Sequence, residues 1–170
     1  TAIARVKEDL EENPEYFTDG WLLQHVDSKK AESFFTDVYT EWDTSYATDI
    51  MMESSDNYEN RLVEEMVERS LMSEEEAQSE DASAIAESRI ESFVEQMVSD
   101  KIDEGNGGFD HYSDNFGKEE ADKLLIKENL IDIDKASKEA IYVDGIAHFL
   151  SHYDGVQIDL SSGAVAFRTN

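Results

Sequence analysis

Residues 27–52, "DSKKAESFFTDVYTEWDTSYATDIMM", decide how this chain is read. Ala31, Phe34, Phe35, Val38, Trp42, Tyr46 and Ile50 recur at steps of three and four residues, the spacing that gathers side chains on one face of an α-helix. Asp27 or Ser28 stands where a cap is needed, and Asp37 and Glu41 fall on the opposite side. A helix that hides so many bulky side chains needs other helices to pack against, so a mainly α fold follows.

The same period runs outward in both directions. "TAIARVKEDLEEN", 1–13, predicts a short helix ended near Asn13 and Pro14, because the residue before proline is pushed out of the helical region. In "DNYENRLVEEMVERSLM", 56–72, Leu62, Met66 and Val67 turn inward and Glu64, Glu65 and Glu68 outward, with Arg61, Glu65 and Arg69 as a charge ladder. Ser73 and Glu76 have capping-box spacing. In "DASAIAESRIESFVEQMVSDKIDEG", 81–105, one helix is expected to bury Ile85, Ile90, Phe93, Val94, Met97 and Ile102 and to stop at Gly105. Its wet face carries Glu87, Glu91 and Glu95, a row of like charges that costs a few tenths of a kcal/mol per pair.

Residues 105–117, "GNGGFDHYSDNFG", read as a glycine-punctuated loop with at most one turn of helix. A helix over "KEEADKLLIKENL", 118–130, ends near Asn129. Over 134–155 a helical hairpin or one broken helix is expected, capped by Asp134 and broken at Asp144-Gly145. The tail changes period: Val156, Ile158 and Leu160, then Val165 and Phe167, alternate by two across Ser161, Ser162 and Gly163. The expected fold is mainly α, about five to seven helices packed in a bundle-like domain, with a small C-terminal β-hairpin, α+β at most. It is one acidic globular domain over 1–170, with a helical part over 1–104 and helices plus the hairpin over 105–170.

Charge is the loudest signal: 41 acidic against 14 basic residues give a net charge of −27 and a pI near 4.2. Residues 1–60 carry 15 acids and 4 bases, 61–104 carry 14 and 4, and 105–170 carry 12 and 6, so this is no acidic tail but the surface of the fold. Direct binding to nucleic acid or to an anionic membrane is disfavoured, and attraction to basic proteins favoured. The absence of cysteine removes disulfides and thiolate chemistry, and no apolar run approaches a membrane span, so a cytoplasmic protein is expected.

No serine elbow, P-loop or dinucleotide fingerprint is present, so no catalytic residue and no cofactor is assigned. His148 and His152 lie one helical turn apart with Asp144 a turn earlier, a spacing that suits a divalent metal. Phe149 stands where the zinc-protease glutamate belongs, and surface or interface histidines are the plainer reading. Asp103, Glu104, Asn106 and Asp110 cluster among glycines but do not supply an EF-hand's order of ligands.

The segments "DGIAHFLSHYDGVQIDLSSGAVAFRTN", "DGWLLQHV" and "NRLVEEMVERSLMSEEEAQ" resemble small acidic proteins encoded by bacteriophages. In size, acidity and lack of cysteine the chain is similar to antirestriction and other DNA-mimic proteins, which present carboxylates in place of phosphates. That resemblance implies a mode of action and carries over no site residue. Duplex DNA bears one charge per about 1.7 Å, so this net charge matches about 13 base pairs, and carboxylates four residues apart on a helix rise by about 6 Å. The expectation is a phage-type inhibitor in the host cytoplasm. Asp37, Glu41, Glu64, Glu68, Glu87, Glu91 and Glu95 would meet the basic nucleic-acid-binding surface of a restriction, CRISPR or transcription protein.

Three alternatives stand beside it. One is an adaptor that binds through Tyr16, Phe17, Trp21 and Leu22; another is a metal-dependent enzyme built on Asp144, His148 and His152; the third is acidity serving only life in high salt. Homodimerisation is left open by the sequence.

Overall fold

The structure is a computed structural model that describes residues 2–13, 17, 21–56, 60–144, 153–159 and 165–169, with backbone only at 54–56, 144 and in the two strands. The described residues are mostly helical, and the chain is mainly α. They form two compact units, residues 29–112 and residues 1–28 joined with 113–170.

Within 29–112 the long helix α2 (Ser28–Asp56) is the spine. Its buried stripe is Ala31, Phe35, Tyr39, Asp43, Ala47 and Ile50, stepping by fours and then three. The helical period alone places Trp42 and Tyr46 on that stripe; instead Trp42 is 37 % exposed and Tyr46 half-buried. The observed stripe includes an aspartate, and a pair makes it tolerable there: Asp43 is buried and takes two 2.8 Å bonds from Lys101 Nζ, one on each carboxylate oxygen. Around α2, Phe35 stacks on Tyr39, and Phe109 and Tyr112 pack against Phe35.

Helix α3 (Arg61–Glu68) buries Leu62, Val63 and Met66, and its first turn is capped by the Asn60 side chain, which accepts from Val63 N–H. Helix α4 (Glu74–Ala77) opens on the predicted capping box, Ser73 with Glu76. The single helix expected over 81–105 is two: α5 (Ala82–Ser88) and α6 (Ile90–Asp103), divided at Arg89 with φ −109° and ψ 9°. Arg89 gives a reason for the break. Its guanidinium bonds both carboxylate oxygens of Glu76, at 2.7 and 2.9 Å, and the Leu71 carbonyl, which ties the junction to α4 and the turn before it.

Residues 105–117 are more ordered than a loop: a 3-10 turn over Asn106–Gly108 leads into α7 (Phe109–Phe116). Gly108 makes the turn workable, since its φ is +93° and a Cβ there would lie 2.8 Å from Ile102 and 3.0 Å from Tyr39. The Tyr39 hydroxyl donates to the Gly108 carbonyl at 2.5 Å.

The other unit begins with α1 (Ala2–Glu12), which buries Val6 and Leu10 and packs on α9 (Ile133–Asp144). Lys7 on α1 bonds Asp134 on α9 at 2.6 Å. A 3-10 turn over Leu22–His25 precedes a bridge between Val26 and Ile131. Helix α8 (Lys118–Lys127) begins after Gly117 at φ +85° and ends with Asn129 in the left-handed region, as its sequence predicts. The cap of α9 is Asp132, which accepts from Lys135 N–H, and not Asp134, which the ion pair to Lys7 occupies. At the C-terminus the backbone is extended in β1 (Tyr153–Asp159) and β2 (Val165–Thr169). The expected turn, Ser161, Ser162 and Gly163, lies outside the described residues. No described helix is long and apolar enough to cross a membrane.

Candidate protein-binding surface

All seven acidic positions singled out from the sequence belong to the 29–112 unit, and all seven are exposed. That unit carries 23 acidic and 6 basic residues. What matters is where its bases go. Arg61 lies against Glu53 and Glu65, Arg69 against Asp100, Arg89 against Glu76 and Lys101 against Asp43. Four of the six bases thus neutralise carboxylates that brace one helix on another. Asp37, Glu41, Glu64, Glu68, Glu87, Glu91 and Glu95 make no ion pair with a described residue, so the exposed faces keep their full charge.

Internal pairing leaves a mark on the protonation of the paired acids. The bonds from Arg89, and then from the Ser73 backbone, hold the Glu76 carboxyl down at about 2. Lys123 lowers Glu119, and Lys7 lowers Asp134. Burial pushes the Tyr39 phenol well above its ordinary range, and burial followed by the hydrogen bond to Glu65 raises that of Tyr46.

The break at Arg89 divides the row expected on one face. Glu87 is on α5, while Glu91 and Glu95 remain on α6. Those two line a groove of about 730 Å³ between α2 and α6, together with Glu32 and Asp103. Its floor is Ile90, Val94, Val98 and Ile102, one residue per turn of α6, and its other wall is Thr36, Thr40 and Thr44, one per turn of α2. Asp37 and Glu41 stand on the side of α2 away from its buried stripe, and Glu64 and Glu68 on the wet side of α3. The seven acids therefore occupy four helices.

Sequence reasoning missed the groove, although two signals point to it. The apolar residues of α6 form two adjacent lines: Phe93 and Met97 are buried in the core, and beside them Val94 and Val98, also nearly buried, continue through Ile90 and Ile102 along the groove. Threonines at 36, 40 and 44 keep one wall short and uncharged.

The aromatic patch does not hold together as an exposed surface. Leu22 is buried, Phe17 and Trp21 are half-buried with rings stacked 5.2 Å apart, and Tyr16 lies outside the described residues. His148, His152 and the Asp144 side chain also lie outside them, and no cluster of three metal-ligating side chains occurs among those described. Near the glycine turn, Asn106 donates to Asp110, and His111 Nδ1 lies 2.8 Å from Glu104. Comparison with protein-family models, with curated proteins and with solved structures finds no match for this chain.

Proposed function

We propose that this protein is a DNA-mimic inhibitor: it occupies the nucleic-acid-binding surface of a basic protein by offering carboxylates where phosphates would lie. One observation carries the proposal. Four of the six bases of the 29–112 unit are taken up in ion pairs between helices, while the exposed carboxylates at 37, 41, 64, 68, 87, 91 and 95 have no ion-pair partner among the described residues. Cations committed to pairs between helices, with these carboxylates left bare, give the molecule a long-range negative field, which speeds encounter with a basic surface and repels nucleic acid. In this reading the chain is a phage-type protein of the host cytoplasm, its target a restriction, CRISPR or transcription protein, and its C-terminal strands close as the small hairpin over 156–167.

The immobilised protein should retain a host partner from lysate at low salt, and that partner should be released both by salt and by added duplex DNA. Changing the seven carboxylates to their amides should abolish retention while the helical spectrum is kept. A partner held equally at low and high salt, or one that holds this protein and duplex DNA together, would overturn the proposal.

A further inference from the structure

We propose that the groove between α2 and α6 is a docking site for a basic amphipathic helix of the partner protein. The proposal rests on the reading above, that the 29–112 unit meets a basic protein, and adds how the partner is gripped. A bare polyanion needs no apolar cleft, yet this one has a straight apolar floor.

The floor residues Ile90, Val94, Val98 and Ile102 repeat every fourth position of α6, so they run about 18 Å along one helix, the length of a helix of about 12 residues. The opposite wall, Thr36, Thr40 and Thr44, repeats with the same spacing on α2. Two helices flanking a channel present ridges of that period, and a third helix fits between them by the same packing. The Thr side chains are short, which leaves width for the incoming aliphatic residues.

The rim selects the charge. Glu32, Glu91, Glu95 and Asp103 border the groove, and among the described residues no lysine or arginine lines it. None of these four carboxylates makes an ion pair with a described residue. A helix with leucine-type residues on one stripe and lysine or arginine on its flanks would seat its stripe on the floor and its cations on the rim. An acidic helix would be repelled, and a basic segment with no apolar stripe would leave the floor unfilled.

The test uses the whole protein and two labelled synthetic peptides of about 14 residues with identical leucine and lysine content. One has leucines at helical spacing and the other has them scrambled, and binding is followed by fluorescence anisotropy at near-physiological salt. The amphipathic peptide should bind at least about tenfold tighter than the scrambled one. Thr40→Trp, at an exposed wall position, should fill the groove and weaken the amphipathic peptide by a similar factor while leaving the scrambled peptide unchanged. Equal binding of the two peptides, or an unaltered amphipathic affinity in Thr40→Trp with its fold intact, would overturn the groove proposal and leave the polyanion reading standing. If neither peptide binds even at low salt, both are overturned.

Discussion

Asp43 sits where an apolar residue belongs, in the buried stripe of α2, and Lys101 supplies the counter-charge that reconciles it with its surroundings. Asp43→Ala should therefore destabilise the protein by about 3 kcal/mol in urea unfolding, because it leaves the poorly exposed Lys101 ammonium without its counter-charge. Replacing both residues by apolar ones of similar volume should recover most of that loss. Glu76 responds to pH. Its folded carboxyl is held near 2 against an ordinary 4.5, so its contribution is whole above about 4.5 and is lost as the pH falls toward 2. In thermal melts over that window Glu76→Gln should show a shallower decline than the parent chain. The residue scale was the least legible in the sequence. The spacing of apolar residues alone turned the expected face of α2 toward Trp42; an aspartate belongs in such a stripe only when it is paired, and the partner that makes Asp43 tolerable lies 58 residues away.

Elements were easier to read than their joints. The capping box at Ser73, the left-handed Asn129 and the helical period of α2, α3 and α6 depend on residues within a few positions, so they show in the sequence. The break at Arg89 depends on Glu76 and Leu71, and the ordering of 105–117 depends on a glycine fitted beneath Tyr39; both need tertiary contacts. Two glycines with positive φ measure the difference. Gly117→Ala meets open space and should cost only backbone strain, about 2 kcal/mol. Gly108→Ala adds close contacts with Ile102, Tyr39 and Phe35 and should cost at least about 3 kcal/mol, with the near-ultraviolet signal of the aromatic cluster disturbed. The candidate site was half legible for the same reason: the exposed acids follow from helical phase, whereas the groove exists only once α2 and α6 are side by side.

At the scale of the whole molecule, a net charge of −27 sets folding against self-repulsion. Added salt should raise the melting temperature markedly, and a variant with the seven exposed carboxylates changed to amides should be more stable at low salt and much less sensitive to it. Those acids lie outside the internal ion pairs, so removing them relieves repulsion without unlocking the helices. The way the chain divides has a different consequence. Residues 29–112 are continuous, while the other unit joins helix α1 to α9 through a contact spanning 127 positions. During synthesis the acidic unit can be complete while α1 still waits for its partner helix, an interval on the order of seconds at ribosomal rates. A nascent chain arrested once residue 112 has cleared the ribosome, with α9 still inside it, would then already display the carboxylate surface and the groove, with the apolar side of α1, Val6 and Leu10, still uncovered and open to chaperones.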